Sequence, residues 1–163
     1  MKTLLIILIG LFTISLNAQI KYQLDSTLFD FWVGDWDLVW VNADGSKSFG
    51  TTKIEKTLDN KVIQENFRDP SGGLKGTSIS VFNNKLKTWH QAWADNQGGY
   101  YDFEGAVEAG KPIFRTKEIN QIIQRMVFYN ITPNSLTWDW EITKDGGKTW
   151  ALQWQIFYSK SKP

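Results

Sequence analysis

The chain contains no cysteine. That excludes disulfide staples, cysteine nucleophiles and zinc–thiolate sites, so stability must come from packing. It holds a single histidine, His90, which is too few for a histidine-based metal cluster. No cofactor is expected. Charge of one sign is also missing: 18 Lys and Arg stand against 17 Asp and Glu, with no basic block. The electrostatic footprint of a nucleic-acid binder is therefore absent. Nothing resembles a helical crossover between parallel strands, which leaves consecutive antiparallel hairpins as the economical topology.

What is plentiful is tryptophan, nine residues of it, and most are in step. Trp32, Trp36 and Trp40 share one parity, as do Trp89 and Trp93, Trp138 and Trp140, and Trp150 and Trp154. Residues two or four apart on a strand lie on one face. Four segments thus each present a tryptophan-bearing face, and a sheet that closes those faces inward makes an aromatic-lined interior.

Residues 1–18 read as a secretory signal peptide: Lys2 is the charged start, Leu4 to Leu16 is the apolar run, and Ala18 is the small residue before the cut. The run is shorter than the roughly 20 residues a bilayer span needs, so no stable membrane insertion is expected after cleavage. Export to the periplasm or the extracellular medium follows. The remaining residues, 19–163, have the size of one domain. Asp25 and Ser26 are candidate N-caps for a short helical turn. Beyond it, segments 31–41, 47–58, 61–68, 74–82, 85–94, 100–107, 113–119, 121–131, 136–143 and 149–158 read as strands separated by Gly, Asn, Asp and Pro. The fold class is all-β: an antiparallel up-and-down barrel of about ten strands, closed so that no edge is exposed.

Three stretches carry a family likeness. They are Phe29-Asp30-Phe31-Trp32-Val33-Gly34-Asp35-Trp36-Asp37, Trp89-His90-Gln91-Ala92-Trp93-Ala94-Asp95, and Asp145-Gly146-Gly147-Lys148-Thr149-Trp150. The Gly-x-Trp in the first resembles the signature of the lipocalin and calycin superfamily. The chain as a whole resembles a family of exported bacterial lipocalin-like proteins known chiefly as a domain of unknown function. The resemblance implies a β-barrel and small-molecule binding. Lipocalins commonly set an arginine from a late strand against the Gly-x-Trp tryptophan. Here the last strand has none, and Arg125 is the nearest analogue, with Arg115 second.

Inward parity nominates Trp36, Trp40, Trp89, Trp93, Tyr101, Phe103, Trp138, Trp140 and Trp154 as ligand-facing, with Gln91 on the face of Trp89 and Trp93. Pockets of this kind are apolar with a few placed polar groups. Arg125 has apolar neighbours on both faces. Inside the barrel it would need a carboxylate or an anionic ligand, and Glu65, flanked by Ile63 and Phe67, is the internal candidate; the alternative is a surface pair. His90 alternates with Trp89 and Gln91 and so faces out. The 143–150 segment resembles an Asp-box turn, a structural device. The carboxylate pairs Asp139/Glu141, Asp102/Glu104 and Asp35/Asp37 oppose the aromatic faces and point to solvent, not across a cleft as glycosidase chemistry requires.

The leading expectation is a non-enzymatic binding protein for a small apolar or planar molecule, oriented by Gln91 and Arg125. A second reading is a carbohydrate or surface-interaction module using Trp89, Tyr100 and Trp150 beside Asn96, Gln97 and Asp145. A third is an enzyme working inside the barrel through Glu65, Arg125 or His90. The sequence leaves the oligomeric state open.

Overall fold

A computed structural model describes residues 21–162; the expected signal peptide lies outside the described residues. A 3-10 turn at Asp30–Trp32 leads into ten strands. They are β1 Gly34–Val41, β2 Lys47–Thr57, β3 Val62–Arg68, β4 Lys75–Asn83 and β5 Thr88–Asp95, then β6 Tyr100–Glu108, β7 Lys111–Arg115, β8 Ile123–Tyr129, β9 Ser135–Thr143 and β10 Ala151–Lys160. Each pairs antiparallel with its sequence neighbours, and β1 pairs with β10 to close the barrel. The expected up-and-down barrel is thus the observed one.

Strand ends move where turn chemistry wins over β-propensity. β5 starts at Thr88 rather than residue 85 because Asn83 Oδ1 accepts the N–H groups of Lys85 and Leu86, both at 3.0 Å. β7 stops at Arg115, and the chain then turns through Asn120 and Gln121 at φ 52° and 66°. Asp25 accepts the Thr27 N–H at 2.8 Å in a local turn, but the residue capping the 3-10 turn is Phe29, which makes no side-chain cap bond, so neither Asp25 nor Ser26 caps that turn. The 3-10 turn itself forms later, so Phe31 and Trp32 lie before the first strand.

Alternating direction around the barrel gives it two distinct ends. At one, the segment before β1 folds in as a plug. Phe29 is fully buried, stacked on Phe114 at 4.1 Å and edge-on to Trp89 at 5.3 Å. Trp32 packs edge-on against Phe128 at 5.3 Å. Burying each such ring is worth about 1.5–3 kcal/mol. Gly105 makes room for this: a Cβ there would lie 2.6 Å from the Cβ of Trp89 and 3.1 Å from the Phe29 ring. Lys56 holds the turn to β2 through Asp30 at 2.7 Å.

The Gly-x-Trp sits beside the plug. Trp36 donates its Nε1–H to the Trp32 carbonyl at 2.8 Å. Lys160, on the last strand, places its Nζ 3.8 Å from the Trp36 ring centroid and donates to the Val33 carbonyl at 2.7 Å. Gly34 adopts φ +141°, and a Cβ there would fall on the Lys160 ammonium. The cation over the signature tryptophan is therefore Lys160. Arg125 and Arg115 stand elsewhere.

Candidate functional site

The barrel end away from the plug holds a cavity of about 210 Å³. Its walls are apolar: Phe67, Leu74, Trp93, Tyr101, Phe103, Met126, Trp138, Trp140, Trp154 and Ile156. Trp32, Glu65, Gln91 and Tyr158 supply polar atoms further in, and Asp95 lies toward the loops. An apolar cavity of about 150 Å³ admits benzene, so this one has room for a fused two-ring body.

The rings brace one another. Trp138 and Trp140 are parallel within 8°, two residues apart on β9. Trp154 stands perpendicular to Trp138 at 5.8 Å and to Trp40 at 5.2 Å. Trp140 meets Tyr101 and Phe103 edge-on at 5.7 and 5.8 Å. Perpendicular contacts of this kind are favourable quadrupole geometries, and they hold the walls open. Trp93 is fixed twice over. Its Nε1–H reaches Asp95 at 3.0 Å, and its indole lies across Gly76, where a Cβ would approach within 2.0 Å of the ring.

Glu65 is buried within this aromatic enclosure. One carboxylate oxygen accepts the Thr52 hydroxyl and the other the Ser78 hydroxyl, each at 3.1 Å. Burial pushes its carboxyl up to about 7, the two hydroxyls pulling the other way. Gln91 donates to Ser80 Oγ at 2.9 Å. Burial, and then the Glu65 charge, push the Tyr158 phenol well above its usual range. The Trp32 Nε1–H nears that phenol but makes no hydrogen bond, so a buried donor is left without a partner.

Eight of the residues nominated from sequence meet here: Glu65, Gln91, Trp93, Tyr101, Phe103, Trp138, Trp140 and Trp154. Trp36, Trp40 and Trp89 are buried but do not line the cavity. Trp36 lies under Lys160, Trp40 backs Trp154, and Trp89 belongs to the plug, its Nε1–H bound to the Asp25 carbonyl at 2.7 Å. Arg125 is on the outer wall. Its Nε meets Glu141 at 2.7 Å and one terminal nitrogen meets Glu108 at 3.0 Å, while its guanidinium lies 3.6 Å over the Trp150 ring. Alternation with the inward Met126 sets Arg125 outward in a surface pair, so the internal pair with Glu65 does not form.

His90 is exposed, opposite Val81 and Glu104, as its alternation with Trp89 and Gln91 predicts. Trp89 is at the plug, away from Tyr100 and Trp150, so the expected surface set does not assemble. A register shift between Leu152 and Trp154 breaks the parity that links Trp150 to Trp154, leaving Trp150 outside with Arg125. Asp139 and Glu141 do face outward, but they are covered: Asp139 accepts from Tyr129 at 3.0 Å and Gln155 at 2.9 Å. Asp145 accepts two backbone N–H groups and the hydroxyls of Thr143 and Thr149, as a turn device does. These bonds hold its carboxyl far below the usual range. Among the described residues no three His, Asp or Glu side chains gather as a metal-binding group, and no helix is long and apolar enough to cross a membrane.

No family model and no curated protein matches the sequence. The barrel is similar to a solved structure, that of the S-type phycobiliprotein lyase CPES from Guillardia theta. The TM-score is 0.52, over 83% of this chain and 91% of the lyase. At 13% identity, the likeness shows the fold alone.

Several cavity residues went unnamed in the sequence reading although parity pointed to them. Ile156 and Tyr158 follow Trp154 in step, Phe67 follows Glu65, and Met126 alternates with Arg125. Trp32 shares the parity of Trp36 and Trp40 but was not nominated, and it reaches the interior from the plug and not from a strand.

Proposed function

We propose that this chain is an exported, non-enzymatic binding protein that holds a small planar or apolar molecule inside its barrel. The observation that carries this reading is the cavity of about 210 Å³ walled by four tryptophans, Trp93, Trp138, Trp140 and Trp154. A wall of braced, flat rings suits a flat guest, because burial and ring stacking both favour it. A well-packed interior leaves few voids larger than water, so a void this size among large side chains is in keeping with a container. The shared scaffold of a phycobiliprotein lyase adds a precedent for the barrel but does not name a guest. Export rests on the signal-like 1–18 segment.

Two measurements test this. Titration with a panel of neutral hydrophobic fluorophores gives saturable uptake at one site, and native mass spectrometry of protein purified without denaturation finds a co-purified small molecule. Absence of both refutes the reading. N-terminal sequencing of the processed chain tests export, with cleavage expected after Ala18.

A further inference from the structure

The walls of the cavity are apolar, and the chemistry lies deeper in. Glu65 is the acidic group buried in the cavity lining, and among the described residues that lining holds no lysine, arginine or histidine. A buried carboxylate without a cation is costly. The one arginine that sequence offered as its partner is bound outside by Glu108 and Glu141. Thr52 and Ser78 donate to Glu65 and so favour its charged form, but they bring no positive charge. The same lining carries the indoles of Trp93, Trp138, Trp140 and Trp154, aromatic rings whose quadrupoles attract cations. The Trp32 Nε1–H, also in the lining and 1% exposed as a residue, has no partner. A head group, or the water that accompanies it, would satisfy that donor.

We infer that the cavity takes an organic cation: a flat aromatic body held among the indoles, with an ammonium group placed on Glu65. This rests on the container reading above and names the guest's chemical class. The guest's charge offsets the burial of the carboxylate, and its N–H groups complete the hydrogen bonding that Thr52 and Ser78 begin. Burial disfavours the Glu65 carboxylate and brings its carboxyl up to about 7, a penalty that a cation beside it offsets.

The pH sensitivity belongs to Glu65. Gln91 from β5, Tyr158 from β10 and Trp32 from the plug share the cavity lining with it, and Thr52 from β2 with Ser78 and Ser80 from β4 stand behind that lining in its hydrogen bonds and those of Gln91. Of these only Tyr158 titrates, and it stays neutral through the neutral range. Asp95, toward the loops, is held charged by the Trp93 N–H.

Calorimetry with three compounds of one shape tests the inference: tryptamine, tryptophol and indole-3-acetate, which carry a cation, a neutral hydroxyl and an anion on the same indole. In the native protein at about pH 8.5, tryptamine binds at least about tenfold tighter than tryptophol, as a charge-assisted hydrogen bond in a dry site requires. Indole-3-acetate binds weakest. Acidification to about pH 5.5 erases the tryptamine advantage and leaves tryptophol unchanged, because Glu65 takes up a proton. Glu65→Gln loses the advantage at every pH and still binds tryptophol. Equal affinity for tryptamine and tryptophol, or a preference that survives Glu65→Gln, overturns the cation assignment while the container stands. Tightest binding of indole-3-acetate overturns it as well. No binding by any of the three overturns the cation assignment, and the container then stands or falls on fluorophore uptake and the co-purified mass.

Discussion

Replacing Glu65 by Gln should stabilise this protein at alkaline pH and do little in acid. An ordinary glutamic acid titrates near 4.5, whereas burial brings Glu65 to about 7 in the folded chain. The folded state therefore holds this proton more tightly than the unfolded state. The resulting stability is fully present below pH 4.5 and is lost as pH rises toward and through 7. At 1.36 kcal/mol per pH unit, the interval corresponds to about 3 kcal/mol. That is a large share of the roughly 5–15 kcal/mol that holds a domain of this size together. Gln keeps the shape and a hydrogen-bonding carbonyl but does not ionise. Urea unfolding of both proteins at about pH 4.5, 6 and 8 measures the effect, since every other titrating group is common to the two and cancels in the difference. The difference should grow by about 3 kcal/mol in favour of Glu65→Gln across that range. A difference that is flat in pH would refute the claim that Glu65 is buried without a cation.

Arg125→Ala should cost roughly 1–2 kcal/mol in urea unfolding, through the loss of Glu108, Glu141 and the Trp150 stack, while tryptophol affinity stays within about twofold because the cavity is untouched. Lys160→Met removes the cation over Trp36 and the bond to Val33; urea unfolding should register a loss of about 1–2 kcal/mol. Gly76→Ala drives a methyl into the Trp93 indole. The ring must swing into the cavity, lowering tryptophol affinity about fivefold or more in calorimetry and costing about 1–3 kcal/mol of stability. Phe29→Ala empties the plug between Phe114 and Trp89, and thermal and urea unfolding should show a loss of about 3–5 kcal/mol.

The barrel was legible because two signals agreed: period-two aromatics on successive segments and turn residues between them. The inner face followed from parity alone wherever strands run straight, which is why Gln91, Trp93, Phe103, Trp138 and Trp140 are where alternation puts them. Parity fails where the ladder slips: Trp150 lies beyond a register shift. Trp32 reaches the interior that parity gives it, but from a 3-10 turn and not from β1. Alternation also says which face a residue takes but not how deep it sits, so Trp36, Trp40 and Trp89 share the inward parity and yet pack away from the cavity. Arg125 was ambiguous because Ile113 and Val127, on its own outer face, are buried just as the inner residues are. Charged and aromatic side chains over β7 to β9 hide that face, which a period-two pattern does not reveal. Lys160 was missed because a search for arginine passes over the lysine that performs the same task.

The most direct test of the container is the position of a heavy-atom guest. A crystal grown with 5-bromoindole, which is neutral and so independent of the charge on Glu65, reports it through the anomalous signal of bromine. A bromine peak is expected within the ring of Trp93, Trp138, Trp140 and Trp154. A peak only on the outer wall, or an interior found filled by those same side chains with no bromine, would contradict it.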